Sequence, residues 1–288
     1  MYIQKKENVM WKETLRIGVD IIDEQHKELF EKAEELLGEV NSTAIERKQK
    51  CISLILYLKD YAVKHFADEE AYQESIGYKG FAIHKKIHEE FKKDVLYHER
   101  KMIGSDFSDK DVKEFTGLLI AWLLYHVSDA DQKIVKKSEE LDLLHSYSDI
   151  ISYSICNILD IYQVTDSQSV KKADVYDEIN DDIFVIRAGL GGDISGYITL
   201  IYPPEFVKSL IFSMTGYESE SIDDLGKSLL LAVSDFTCQA ICRLISKEKD
   251  IDCHADLSAI TNKYAIQSDE RIALDTGKGI VEVGITIA

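Results

Sequence analysis

The chain has 288 residues, of which 34 are Lys or Arg and 52 are Asp or Glu, so its formal net charge is −18. This length predicts two domains of ordinary size. Hydrophobic residues make up 45% and charged residues 30%, a balance that excludes a disordered or low-complexity chain. The negative charge also disfavours nucleic acid or an anionic membrane as the main partner, because both are polyanions.

The N-terminal sequence and the cysteines indicate a cytoplasmic protein. The first residues, MYIQKKENVMWKETL, lack the apolar stretch of a secretory signal. The longest apolar run, Phe115–Tyr125, is shorter than the roughly 20 residues that a membrane helix needs. Five cysteines without a C-x-x-C pair are typical of buried free thiols in a reducing compartment.

The apolar spacing in the first half of the chain predicts four amphipathic helices. They cover approximately residues 21–40, 43–75, 81–102 and 109–137. Asp20 or Asp23 is expected to cap the first helix, and the apolar side of the second is expected to include Ile52, Leu56 and Val63. Connections of this length favour an up-down four-helix bundle.

The periodicity changes after a charged segment at Lys136–Leu144, where we place the boundary between domains 1–140 and 141–288. The predicted elements beyond it are a helix at 144–162, strands at 182–188 and 195–202, helices at 205–214 and 223–246, and strands at 256–261, 271–274 and 279–288. Gly189–Gly192 is expected to form a hairpin turn, and Pro203 and Pro204 to begin a helix. The fold class is therefore multidomain, a four-helix bundle followed by an α+β domain.

The four predicted helices carry histidines and carboxylates at positions that face the core. These are His26 on the first helix, His65 and Glu69 on the second, His84 and His88 on the third, and His126 and Asp131 on the fourth. Residues four apart project from the same face of a helix, so such a pair can hold one metal or two adjacent metals. Five imidazoles and two carboxylates would thus converge on the bundle axis, a donor set that suits iron.

Two other interpretations of these residues are weaker. Without a metal, each buried unsatisfied polar group costs roughly 1–3 kcal/mol, and a total stability of about 5–15 kcal/mol does not accommodate seven of them. A tetrahedral zinc ion needs fewer ligands than are present, and no cysteine joins the set. Manganese or a mixed pair of metals stays compatible with the ligand types.

Residues 10–137 resemble the bacterial hemerythrin domain. The resemblance rests on Trp11 and on the segments IGVDIIDEQHKELF, HFADEE, GYKGFAIHKKIH and WLLYHVSDAD. Together these contain the complete pattern H, H-x-x-x-E, H-x-x-x-H and H-x-x-x-x-D. The resemblance implies two iron ions, ferrous or ferric, joined by an oxo or hydroxo bridge, with O2 as the ligand of an open position on one of them.

The resemblance also implies a role for each candidate residue. His84, His88 and His126 would hold a six-coordinate iron, His26 and His65 would hold a five-coordinate iron, and Glu69 and Asp131 would bridge the two. Phe66, Trp122 and Leu123 would lie near the O2 pocket, with plain core packing as the alternative. The spacing of His126 and Asp131 does not give a same-face pair on an ideal helix, so a local adjustment of the fourth helix is expected.

Residues 145–288 bear a weaker resemblance to a CheX-type chemotaxis phosphatase domain. The order of helix, hairpin (DISGYITLIYPPEF), two helices and terminal strands carries this resemblance. Such phosphatases use an E-x-x-N motif on a long helix to position the water that attacks an aspartyl phosphate. The corresponding helix, LLLAVSDFTCQAICRL, has Asp235 and Cys238 at these positions. Because a thiol cannot present an amide's donor and acceptor, the motif argues against phosphatase chemistry.

Three kinds of function are consistent with this sequence. The first is an O2 or redox sensor in which a di-iron domain is coupled to a CheX-like signalling or partner-binding domain. The second is an O2 store or carrier. The third is an enzyme, either a response-regulator aspartyl-phosphate phosphatase with an O2-responsive input or a di-iron peroxidase or oxidase. The candidate partners are O2, a response regulator or other chemotaxis protein, and a second copy of the chain.

Overall fold

The computed structural model describes residues 10–40, 42–135, 146–175, 183–218, 221–257 and 270–288. The chain divides into two compact units, Met1–Ser138 and Glu139–Ala288. The charged segment in which we placed the domain boundary, Lys136–Leu144, lies outside the described residues.

The first unit contains a bundle of four long helices. They are α1 (Asp20–Glu39), α2 (Ala44–Ser75), α3 (Phe81–Gly104) and α4 (Asp109–Tyr125). A short 3-10 turn, Glu13–Leu15, precedes α1. A π-helical turn at His126–Ala130 follows α4, and α5 (Gln132–Val135) continues the chain from there. The predicted four-helix bundle is confirmed.

The start of α1 differs from the sequence prediction, because neither Asp20 nor Asp23 is its N-cap. Val19 occupies that position and makes no side-chain cap. The Asp23 carboxylate lies one turn inside the helix and accepts hydrogen bonds from the backbone N–H groups of Ile17 (2.8 Å) and Gly18 (3.0 Å). Asp23 therefore fixes the segment that enters the helix instead of capping the helix itself.

The buried side of α2 differs in part from the predicted one. It includes Cys51, Leu54, Ile55, Leu58, Tyr61, Ala62, His65, Phe66, Glu69 and Gln73. Ile52, Leu56 and Val63, which were expected to be buried, are exposed. The reason is that α2 carries two apolar stripes, and the stripe that also contains His65 and Glu69 is the one that packs in the core.

The second unit is an α+β domain, as predicted. Its helices are α6 (Tyr147–Ile161), α7 (Pro204–Thr215) and α8 (Asp224–Lys249), with a 3-10 turn at Ser167–Ser169. Its strands are β1 (Lys171–Ala173), β2 (Phe184–Gly192), β3 (Gly196–Tyr202), β4 (Cys253–Leu257), β5 (Glu270–Asp275) and β6 (Ile280–Ile287). They form one antiparallel sheet in the order β1-β5-β6-β3-β2-β4. Pro203 and Pro204 begin α7, as expected, whereas β1 was not predicted.

The prediction of a hairpin turn at Gly189–Gly192 is wrong. These four residues belong to β2 and pair with β3 or β4, and the turn lies at residues 193–195. Glycine is required at position 192, where φ is +98° and a Cβ atom would lie 2.5 Å from the backbone oxygen of Asp252.

Among the described residues, α8 is the one helix whose length and composition would allow it to cross a membrane. Of its most apolar window, 56% is buried inside the protein. Leu229, Ile241 and Ile245, for example, are fully buried in the second unit. A helix at the core of a globular domain passes the same test, so this observation is weak evidence for a membrane span.

Candidate metal centre

The structure brings all seven predicted ligand residues together inside the bundle. Each of them is at most 3% exposed. The ligand atoms form two overlapping groups. In each group, every ligand atom is at most 4.8 Å from every other. The first group consists of Glu69, His84, His88 and His126, and the second of His26, Glu69, His126 and Asp131. His65 adjoins the second group, since its Nε2 lies 3.2 Å from Nε2 of His26.

Glu69 lies between histidines that the sequence assigns to different metals. Its Oε1 is 2.7 Å from Nε2 of His84. Its Oε2 is 3.3 Å from Nε2 of His88 and 3.4 Å from Nε2 of His65. The carboxylate therefore contacts imidazoles of both predicted sets.

Asp131 occupies an equivalent position on the other side of the cluster. Its Oδ2 lies 3.1 Å from Nε2 of His26 and 3.0 Å from Nδ1 of His126. Its Oδ1 lies 3.3 Å from Nε2 of His84. Both carboxylates are thus located where a bridge between two metals would have to be.

The expected adjustment of the fourth helix is confirmed, and it is the π-helical turn. The backbone N–H of Asp131 donates to the carbonyl of His126 at 2.9 Å, a bond that spans five residues. On an ideal α-helix, side chains five residues apart point about 140° away from each other. The additional residue in the turn brings both side chains to the cluster, and such π turns are frequent at functional sites.

The cluster sets the protonation of its own members. Burial lowers the pKa of His65 to about 4 and also lowers the pKa of His126. Burial acts in the same direction on His84, but the adjacent carboxylates of Asp131 and Glu69 outweigh it and raise the pKa of His84 to about 10. For both carboxylates, burial acts to raise the pKa, yet the neighbouring imidazoles lower it well below the usual value. Anionic carboxylates beside the neutral imidazoles of His65 and His126 are in the forms that bind cations, whereas His84 would release its proton when it binds a metal.

Several buried polar atoms of the cluster lie close to other ligand atoms, yet these contacts lack the geometry of hydrogen bonds. They include Oε2 of Glu69, Nε2 of His84 and both carboxylate oxygens of Asp131. An orphaned polar atom at this depth carries a desolvation penalty that a bound cation would remove. The donor set and these unsatisfied atoms therefore fit a pair of metal ions with nitrogen and oxygen ligands.

Two residues that the sequence analysis missed orient ligand histidines. Oε1 of Gln25 lies 2.8 Å from Nδ1 of His65, and Oε1 of Glu70 lies 3.2 Å from Nδ1 of His88. Such contacts fix the ring orientation and the tautomer, so that Nε2 stays free for a metal.

A third missed residue, Gln73, holds one of the carboxylates. Its side-chain amide donates to Oε1 of Glu69 at 2.5 Å. Gln73 follows Glu69 by four residues on the buried side of α2, and this spacing was a usable signal. Gln25 and Glu70 are next to ligand residues in the chain, where their long side chains reach a ligand histidine of another helix.

Two of the three residues expected near an O2 pocket contact the cluster directly. The ring of Phe66 stacks on His88 with centroids 3.9 Å apart, and the ring of Trp122 stacks on His126 at 4.4 Å. Leu123 is buried in the same core. Phe66 and Trp122 therefore form an apolar wall against the side of the cluster that carries three histidines.

Tyr61 covers the other side of the cluster, and the sequence analysis did not select it. Its ring stacks on His65 at 4.6 Å. The residue is buried, and burial together with the nearby carboxylates raises its pKa well above the usual value. Tyr61 therefore presents a neutral phenol beside the histidine pair.

In the second unit, the two residues that align with the phosphatase motif, Asp235 and Cys238, are not both exposed. Cys238 is fully buried on α8, and burial raises the pKa of its thiol, whereas Asp235 is partly exposed. Cys242 hydrogen-bonds to Cys253 on β4, and this bond and burial raise its pKa. The partner of Cys242 in the fold is therefore Cys253.

A four-helix bundle that directs five imidazoles and two carboxylates toward one another is a di-metal-binding helical domain. A family model, the hemerythrin HHE cation binding domain, matches residues 17–138. The chain belongs to the hemerythrin family through this N-terminal part, and membership implies a non-haem di-iron site.

Bacteriohemerythrins are similar to the same part of the chain. A bacteriohemerythrin of Clostridium acetobutylicum is 36% identical over 129 residues, which are 44% of this chain and 98% of that protein. A bacteriohemerythrin of Stenotrophomonas maltophilia is 37% identical over 125 residues, 43% of this chain and 77% of that protein.

The other half of the chain is similar in fold to a chemotaxis protein. The crystal structure of CheX from Vibrio vulnificus covers 49% of this chain and 99% of its own length, with a TM-score of 0.41 and 11% identity. At 11% sequence identity, this similarity concerns the fold alone.

Proposed function

We propose that the bundle holds two iron ions and binds O2 reversibly at them. The observation that carries this proposal is the position of Glu69 and Asp131, each of which contacts imidazoles on both sides of the cluster. His84, His88 and His126 form one ligand set, and His26 and His65 the other. A pair of ferrous ions in such a site supplies the electrons and the open coordination position that O2 binding needs.

The protein's own part in this function is to orient the ligands and to exclude water. Gln25 and Glu70 direct Nε2 of their histidines inward through hydrogen bonds at the opposite ring nitrogen. Phe66 and Trp122 cover the three-histidine side, whereas Tyr61 lies on the side of His26 and His65, where a metal held by fewer protein ligands would have room for O2. The buried phenol of Tyr61 limits access of water and of bulky reductants there.

The test is metal analysis together with the visible spectrum of anaerobically reduced protein, before and after O2 is added. We expect two irons per chain and charge-transfer bands that appear with O2 and disappear when it is removed. Immediate oxidation without a reversible band would refute O2 binding while leaving the iron site intact. Absence of iron after ferrous loading would refute the site itself.

We further propose that O2 binding in the bundle is an input and that the α+β domain is the output, a signalling or partner-binding module in the cytoplasm. The support is the presence of a complete ligand set and a separate folded domain in one chain. Hydrogen exchange of residues 146–288 should differ between the reduced and the O2-loaded protein. The variant His65→Ala, which lacks a ligand, should show no such difference.

Two other functions give different outcomes in the same experiments. An O2 store or carrier would bind O2 reversibly with identical exchange in the second domain. A phosphatase would release phosphate from a phosphorylated receiver domain, and the activity would depend on Asp235. Position 238 has a buried thiol where the phosphatase motif has an amide, and we therefore favour the sensor.

A further inference from the structure

A line of large aliphatic side chains on α2 faces solvent. Ile45, Ile52, Leu56 and Val63 are 71%, 37%, 59% and 72% exposed. At 3.6 residues per turn these four side chains deviate by no more than about 20° from a common direction, and the line they form is about 27 Å long. The opposite side of α2 is already buried in the bundle, so a second apolar stripe has no use in the core.

The stripe has the spacing of a coiled-coil seam. Its successive positions are Ile45, Gln49, Ile52, Leu56, Lys59 and Val63, which are alternately four and three residues apart. Helices with this repeat pack in pairs, with the side chains of one helix inserted between those of the other. The structure therefore presents one half of such a pair on its surface.

The order of apolar and polar residues in the seam is the same from either end. If a second α2 lies antiparallel with position 54 of both helices at the centre, Ile45 is opposite Val63 of the second copy, and Ile52 is opposite Leu56 of the second copy. The remaining pair joins Gln49 to Lys59 of the second copy, polar to polar. A two-fold interface requires a surface that is its own complement, and this seam meets that requirement at all six positions.

The neighbouring helix α3 extends the apolar surface. Lys59 pairs with Glu99 of α3 at 2.5 Å, which places the exposed Leu96 and Ile103, about one turn to either side of Glu99, next to the seam. Lys48 pairs with Asp106 in the same region. Because both lysines are paired within the chain, repulsion between the lysines of two copies is limited.

The size of this face indicates a weak dimer. Two neighbouring helices along about 27 Å present an area on the order of 500 Å² per copy, whereas a standard specific interface buries about 800 Å² per partner. We propose that the chain forms a two-fold dimer in which the α2 seams pack antiparallel, with a dissociation that is observable by dilution. The occupant of this face is a second copy, because the seam matches itself.

The first test is sedimentation of the iron-loaded full chain over a range of concentrations. We expect a reversible monomer–dimer equilibrium whose dissociation constant rises at least tenfold in Leu56→Glu. The control Ile21→Glu changes a residue of similar exposure on α1 and should leave the equilibrium unchanged. Both variants should retain iron, which shows that the bundle is folded. A chain that stays monomeric at its highest soluble concentration would overturn the proposal.

The second test examines the register. Ile45→Cys and Val63→Cys are prepared as separate proteins, mixed, and treated with a short bifunctional maleimide. The antiparallel pairing predicts a cross-link in the mixture and none in either protein alone, because the two copies of position 45 are about 27 Å apart. A cross-link of Ile45→Cys with itself would refute the antiparallel arrangement.

Discussion

Removal of His65 and removal of Glu69 should change the iron content by different amounts. His65 is placed at a single metal, whereas Glu69 is placed between two. Nε2 of His65 is near Nε2 of His26 (3.2 Å) and Oε2 of Glu69 (3.4 Å), all on one side of the cluster. The carboxylate of Glu69 contacts three imidazoles drawn from both sides. We therefore expect His65→Ala to lower the iron content from two toward one, and Glu69→Ala to lower it toward zero.

The magnitude follows from the number of ligands lost. Loss of a residue that only orients a ligand typically costs 10–100-fold in metal affinity. Loss of a direct ligand should cost at least the upper figure, which is about 2.8 kcal/mol at 1.4 kcal/mol per tenfold. At the site of His65 this penalty applies to one iron, whereas at Glu69 it applies to both.

The assay is iron per chain after anaerobic ferrous loading and desalting, followed by the O2-dependent visible spectrum. His98→Ala is the matched control, because His98 is a histidine of α3 outside the cluster and should keep two irons. Equal iron loss in the His65 and Glu69 variants would refute the bridging position of Glu69. Unchanged iron and spectra in both would refute the ligand assignment as a whole.

Three further predictions test the surroundings of the site and the second domain. Gln25→Ala removes the partner of the His65 ring and should weaken retention of one iron 10–100-fold in a chelator competition, whereas Gln25→Glu, which keeps an acceptor, should change it little. Deletion of Ser128 would shorten the spacing between His126 and Asp131 to four residues. An ordinary α turn should then keep Asp131 on the cluster, and the iron content should stay near two. Insertion of one Ala at the same place should reduce the iron content. Gly196→Ala should lower the melting temperature of the second domain, because φ is +142° and the new Cβ would lie 2.0 Å from a backbone oxygen; an unchanged thermal transition would contradict this.

The ligand set could be predicted from the sequence because its information is local. A helix fixes the direction of side chains four residues apart, so H-x-x-x-E and H-x-x-x-H specify a face without knowledge of the partner helices. The same logic required an irregularity between His126 and Asp131, and the π turn provides it. The hydrogen-bond partners of the histidines are harder to predict, because Gln25 and Glu70 each reach a ligand of a different helix.

The errors arose where two features of the sequence compete. α2 is apolar on two sides, and the pattern alone does not show that Ile52, Leu56 and Val63 lie outside the buried side that contains His65 and Glu69. A run of glycines indicates a turn, but Gly192 is needed for its positive φ and for the close approach of the backbone at Asp252. In both cases the deciding contact comes from an element distant in the chain, which a local pattern does not contain.

The π-helical turn has a geometric consequence for the chain that leaves the bundle. It differs from an α turn by one residue, so its conversion into an α turn would rotate the helix that follows by about 100° and shift it by about 1.5 Å relative to α4. Gln132–Val135 is that helix. The same conversion would turn Asp131 away from the cluster. The contacts of the cluster with one carboxylate therefore set the direction of Gln132–Val135 relative to α4.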